Sequence, residues 1–235
     1  MGCSARVRVS LLAGLLACEL LVPALTNAST IEFGLDIVYA GSSPASASTP
    51  WIRAKFEDTG ADEVTLTLET LNLVDDEFVS QWFFNFNPAK DPAGLSFAHQ
   101  SGATAQSLAA AADAFQAGSG GTYDVRFEFF TSQALRFGAG QTSVWTITGS
   151  GLSASDFNFI SAPGGGGGTH FSAAHIQGIG ADGLESGWIG ADQEGPAVPG
   201  APPPAAPEPP TLLLLGIGLM TLAGLGRAFR RVPRG

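Results

Sequence analysis

Charged side chains are scarce: they make up 14% of the 235 residues, against about a quarter in an ordinary soluble domain. Basic ones are scarcer still, with 11 Lys and Arg facing 21 Asp and Glu for a formal net charge of −10. A nucleic-acid binder concentrates Lys and Arg where phosphates lie, so this shortage excludes nucleic acid as a partner. Cysteine is nearly absent. The two present, Cys3 and Cys18, fall in the first 28 residues, which excludes a disulfide-dense scaffold. Histidine is limited to His99, His170 and His175. The spacing of His170 and His175 puts them on one face of neither a strand nor a helix. A metal centre needs three or four convergent ligands, so these are read as surface or edge histidines. The chain has no Gly-x-Ser-x-Gly elbow, no Walker loop and no His-Glu-x-x-His.

What the chain does have is apolar: hydrophobic residues reach 45%, with 31 Gly and 15 Pro, and mean hydropathy is +0.20. That much apolar surface cannot stay solvated, so a highly charged disordered chain is excluded too. The totals conceal a division. The middle of the chain holds five basic residues (Arg53, Lys55, Lys90, Arg126, Arg136) against nineteen acidic ones, a balance of −14. The ends are basic and apolar.

Residues 1–28 read as a secretory signal peptide. Arg6 and Arg8 form its positive start, and Val9 to Ala17 begins an apolar run that resumes at Leu20. Thr26-Asn27-Ala28 offers small residues for a peptidase acting after Ala28. The alternative is a lipoprotein box with Cys18 lipidated; the apolar sequence continuing past Cys18 speaks against it, and Glu19 is awkward in both readings. At the other end, residues 211–226 are uncharged and nearly all apolar. Sixteen helical residues span ~24 Å, slightly under the hydrocarbon core, and the flanking arginines can snorkel. They are expected to form a single transmembrane helix. Arg227, Arg230 and Arg231 follow as the stop-transfer charges of a basic cytoplasmic tail, 227–235, which places the acidic body on the far side of the membrane.

Between body and helix lies a Pro-rich linker, 195–210, expected to be extended. It contains Pro207-Glu208-Pro209. Tripeptide, apolar segment and arginine cluster in that order, behind a signal peptide, resemble the PEP-CTERM sorting signal of Gram-negative bacteria. The resemblance covers about the last thirty residues and departs from the pattern at Pro210, where a small residue is more common. It implies recognition by an exosortase, a membrane-embedded cysteine protease or transpeptidase. It further implies anchoring in the inner membrane before processing, then a cell-surface or extracellular place associated with exopolysaccharide. The endings around His175 to Gly190 and the Phe-rich stretch 117–129 are also loosely similar to exported proteins of this group; they imply a β-rich body and carry no activity with them.

The body, residues 29–194, is expected to be all-β: an antiparallel β-sandwich or jelly-roll-like domain with at most one short helix. Residues 31–39 read as one strand. Val64, Leu66 and Leu68 alternate with polar residues, and Trp82, Phe84 and Phe86 share a face, as do Val125, Phe127 and Phe129. Further short strands are expected at 144–148, 157–160, 175–179 and 186–189. Residues 104–116 are rich in alanine and are expected to form either a crossover helix or a loop. Ser153 to Asp156 reads as one helical turn.

Several features bear on function. Gly178-x-Gly180-x-x-Gly183 matches a dinucleotide fingerprint but lacks a following helix, so a Gly-rich hairpin is expected. The acidic groups at 57–58, 62–63 and 75–77, with Asp182 and Asp192, raise a calcium site in turns; a solvated acidic surface is the plainer reading, and no cofactor is expected. Trp82 and Trp145 lie in strand patterns and are expected in the core. Trp51 and Trp188 flank turns and are the candidates for stacking on sugars. The five-glycine run 164–168 reads as a loop tip or a slack connection. The expectation is therefore a non-enzymatic, exported structural or interaction component. The alternatives are a carbohydrate- or calcium-dependent adhesion module and a secreted hydrolase, for which no carboxylate pair stands out.

Overall fold

The computed structural model describes residues 28–192 and the backbone of 198–199. Strands β1 (Ser29–Leu35), β3 (Ile52–Gly60), β4 (Glu63–Thr70), β6 (Ser96–Gly102), β10 (Thr142–Thr148) and β13 (Val198–Pro199) form one sheet, ordered β13-β1-β3-β4-β10-β6. The second sheet, ordered β2-β12-β11-β5-β8-β7, comprises β2 (Ile37–Gly41), β5 (Phe78–Phe84), β7 (Ala105–Gln116), β8 (Thr122–Phe129), β11 (Ser172–Ile179) and β12 (Glu185–Ala191). The two-residue β9 (Phe137–Gly138) pairs with β5. All of these pairings are antiparallel. The body is a two-sheet antiparallel β-sandwich.

Alternation drives this arrangement. In β4 and β8 every second residue is buried, so one face of each strand enters the space between the sheets. The core is built from aromatic rings. Phe56 stacks on Phe157 at 4.2 Å and meets Phe84 edge-on at 5.0 Å. Phe127 meets Trp145 edge-on at 5.3 Å, and Phe129 lies 4.8 Å from Phe137. Each such pair adds ~0.5–1.5 kcal/mol beyond its burial. Trp82 is fully buried and Trp145 nearly so, as the strand pattern requires.

Three expectations change. The run 31–39 is two strands, β1 and β2, on different sheets; exposed Asp36 marks the crossing. The expected helix or loop over 104–116 is the edge strand β7. A helix of that length is marginal in water unless packing favours it. Here the backbone pairs with β8, and Leu108 and Ala110 pack on the core. Register shifts on this strand and a positive φ at Asp113 break the regular pairing. Residues 157–160 are not a strand, because Phe157 ends a 3-10 turn, Ala154–Phe157, directed into the core. The helical turn expected from Ser153 onward is this element. The described residues hold one other such turn, Pro92–Gly94. Among them no helix is long and apolar enough to cross a membrane. The expected transmembrane helix, 211–226, lies outside the described residues.

Candidate functional site

The outward face of the second sheet brings together side chains far apart in sequence. Antiparallel register aligns Trp188 (β12), His175 (β11), Gln81 (β5), Glu128 (β8) and Ser107 (β7) in a single row across five strands. Inward neighbours such as Ala174, Trp82 and Phe127 belong to the core, so period two turns these five outward. At ~4.8 Å per strand the row is roughly 19 Å long.

An open trough of about 450 Å³ runs beside it, lined by Gln81, Gln106, Glu128, His175, Gln177 and Trp188 among others. Glu128 accepts hydrogen bonds from Ser107 Oγ at 2.5 Å and Gln81 Nε2 at 3.2 Å. Its charge is met by Arg126 Nη1 at 3.4 Å. His175 Nδ1 lies 3.0 Å from Ser80 Oγ, which also donates to the His175 carbonyl. Burial pushes the His175 ring below its ordinary pKa, so the neutral imidazole prevails. Its ring lies flat against the Trp188 indole at 4.5 Å.

Trp188 is half-buried. Beyond His175, a turn closes on it: a Cβ at Gly118 would sit 2.9 Å from Trp188 Cε2. The indole therefore offers only part of its surface to the trough. Trp51 is not on this face. It is 6% exposed within the core, with Nε1 donating to Ser46 O at 2.9 Å. Its place beside a turn does not expose it, because the residues before it fold back and cover the ring. The expected sugar-stacking role for Trp51 is thereby withdrawn.

A second, closed cluster adjoins the trough. Phe83 and Ala173, on the same outward face, are buried together with Ala117 and Tyr123, and Tyr39 and Trp188 pack against them. The run 164–168 helps cover it: Gly167 N donates to Ser119 O, and Gly121 N donates to Gly164 O, both at 2.8 Å. It is a fitted cover, and the slack connection is not seen. His170 sits beneath, 3% exposed and stacked on Tyr39 at 4.5 Å. Its Nδ1 bonds the Asp192 carboxylate, and its Nε2 is 3.1 Å from Gly167 O. Burial pushes the Tyr39 and Tyr123 hydroxyls far above the usual tyrosine range. They donate to backbone carbonyls of Ala117 and Gly120. His170 is thus an interior histidine and not a surface one. His99 lies on edge strand β6, 4.9 Å from the Trp145 ring.

The acidic turns do not converge. Asp58 lies within β3 and accepts from Ser29 N and Ala154 N. Buried Glu77 accepts from Ala45 N and Val74 N. Among the described residues no group of three or more His, Cys, Asp or Glu is placed to hold a metal ion. Gly178, Gly180 and Gly183 all have positive φ in the β11–β12 hairpin. Gly178 also has no room for a Cβ, which would lie 2.1 Å from Asp76 O.

Ala28 directly precedes β1. Pro207, Glu208, Pro209, Arg227, Arg230 and Arg231 lie outside the described residues. The trough glutamines form no pattern in the sequence. Gln81 and Gln177 stand at outward positions of their strands, yet 96 residues separate them in the chain, and only register makes them neighbours. Set against protein families, curated proteins and solved structures, the chain matches none of them.

Proposed function

We propose that this is an exported protein held in the inner membrane by residues 211–226 and processed by an exosortase at Pro207-Glu208-Pro209. Its body then serves as a non-enzymatic interaction component of the cell surface or exopolysaccharide matrix. The observation that carries this reading is the order of tripeptide, apolar segment and arginine cluster at one end, with a leader peptide at the other. A membrane protease needs an extended substrate at the bilayer surface, and flanking prolines keep helix and sheet pairing away from Glu208.

One contact supports removal of the leader after Ala28. Ser29 N donates to Asp58 Oδ2 at 2.9 Å. After cleavage the same nitrogen carries the terminal positive charge, and its partner is already a carboxylate.

Glu208→Ala in the native host tests the reading. The variant is expected to accumulate unprocessed in the inner membrane, as intact mass shows. Normal maturation of the variant defeats it. A second reading, a carbohydrate-binding adhesion module, is favoured by the amide-lined trough on the second sheet.

A further inference from the structure

We infer that the trough of Gln81, Gln106, Glu128, His175, Gln177 and Trp188 binds a neutral, hydroxyl-bearing polysaccharide chain lying across the strands. This rests on the carbohydrate-binding reading and narrows it to uncharged polymers.

The donor and acceptor inventory points to hydroxyls. Three carboxamides line the trough, and each carries both a donor NH₂ and an acceptor C=O. Vicinal hydroxyls of a sugar present the complementary pair. Gln106 is exposed, and its side chain makes no hydrogen bond among the described residues. Gln177 has one weak contact, Nε2 to His175 Nδ1 at 3.5 Å. Their hydrogen-bonding capacity is therefore free for a ligand. The exposed part of Trp188 supplies an apolar surface for sugar C–H groups.

Charge selects among sugars. Inside the trough, Glu128 is the one carboxylate, and Arg126 answers it. Arg126 does not line the trough and is engaged by both Glu128 and Phe115, with its guanidinium carbon 4.9 Å from the Phe115 ring centre. No cation is left to meet uronate or sulfate. The surrounding body, at −14, repels a polyanion over several ångströms of low-salt solvent.

Shape selects against a peptide strand. Peptides commonly add to a sheet edge, where free backbone N–H and C=O groups give affinity. Four of the five strands that the row crosses, β12, β11, β5 and β8, are each paired on both sides, so across them only side chains are offered. A pyranose repeat is close in length to one strand spacing, which lets successive sugars meet successive strands.

The test is affinity electrophoresis of the full chain in mild detergent. The gels contain dextran, hydroxyethylcellulose, xyloglucan or galactomannan as neutral polymers. Polygalacturonate is the acidic one, and a soluble Gly/Ser/Thr-rich peptide is the competitor. Retardation by at least one neutral polymer, and none by polygalacturonate, is expected. The double variant Gln106→Ala/Gln177→Ala, whose side chains lie outside the core, should weaken that retardation about tenfold, the loss of two neutral hydrogen bonds. Thr146→Ala, on the outward face of the other sheet, should leave it unchanged. Retardation by polygalacturonate alone overturns the neutral-polymer inference and spares the carbohydrate reading. Retardation by no polymer overturns both. Undiminished binding by the double variant, or competition by the peptide, removes the trough as a sugar site.

Discussion

Replacing Asp156 by alanine should cost the body about 3 kcal/mol, although the residue lies in a turn of only four residues. The Asp156 side chain is 6% exposed. Its Oδ1 accepts from Asn87 Nδ2 at 2.9 Å, and its Oδ2 accepts from Ser153 N at 2.9 Å and from Lys90 Nζ at 2.6 Å. Truncation strands the Ser153 N–H at the start of the turn, a loss of ~1 kcal/mol. It leaves the Asn87 amide without its acceptor, another ~1 kcal/mol. The Lys90 side chain is one-third exposed and retains Gly151 O as a partner. Its share is therefore that of a surface pair, at most ~1 kcal/mol. These terms act on Phe157, which the turn presses onto Phe56. For a domain of this size the loss corresponds to a fall in Tm of roughly 6–12 °C. Burial works to raise the carboxyl pKa, but the bonds from Lys90, Asn87 and Ser153 outweigh it and hold the group below its ordinary value. Its unfolded value is ~3.9. The stabilisation is therefore complete above that pH and drains away as pH falls through the lower folded-state value. Urea and thermal unfolding of the full chain in detergent, followed by tryptophan fluorescence, measure both effects. A loss under ~0.5 kcal/mol at neutral pH, or a gap between wild type and variant that persists unchanged to pH 2, would refute the reasoning.

Two further perturbations probe the second sheet. Gly190→Ala places a Cβ 2.7 Å from His170 Cγ, and that ring is held by Asp192, Gly167 and Tyr39. Overpacking should destabilise by ~1–3 kcal/mol in urea titrations; the ~0.4–1 kcal/mol gain that Gly→Ala brings at an open site would show that the ring yields freely. His175, lowered by burial, favours its neutral form in the fold. Stability should decline as pH drops from ~6.5 through the folded-state value, because the unfolded chain takes up the proton first. His175→Gln should flatten that decline in the urea midpoint between about pH 7 and 5, and an unchanged slope would assign it to other groups.

Much of the sandwich was legible along the chain. Val64-Leu66-Leu68 and Val125-Phe127-Phe129 alternate cleanly, and the structure buries them as strands β4 and β8 with no residue out of phase. Periodicity fails where the phase is weak. The alanines of β7 satisfy helix and strand equally, and the decision came from an unfilled edge of β8 beside them. Strand β3 is hidden in the sequence because its alternation, Ile52-Ala54-Phe56, runs into Glu57-Asp58, which look like turn residues. Glu57 falls on the outward face, and Asp58, in phase with Ile52, Ala54 and Phe56, caps backbone groups from two other elements.

The candidate site divides in the same way. Trp188 and His175 drew notice because aromatic and imidazole groups carry chemistry wherever they stand. Glutamines do not, and Gln81, Gln106 and Gln177 mean nothing until register sets them around one trough. Trp51 shows the converse, since its neighbours in sequence gave no sign of the loop that covers it.

By itself, the sequence determined the β alternation and the division into an acidic body with apolar, basic ends, because these depend on composition and on the order of neighbours. The tertiary structure alone decided which outward side chains share a row, which tryptophan is covered and which histidine is interior. Those outcomes depend on strand register, set by contacts between residues tens of positions apart, and on how loops fold back over the sheets, as residues 46–50 do over Trp51. No local pattern encodes them.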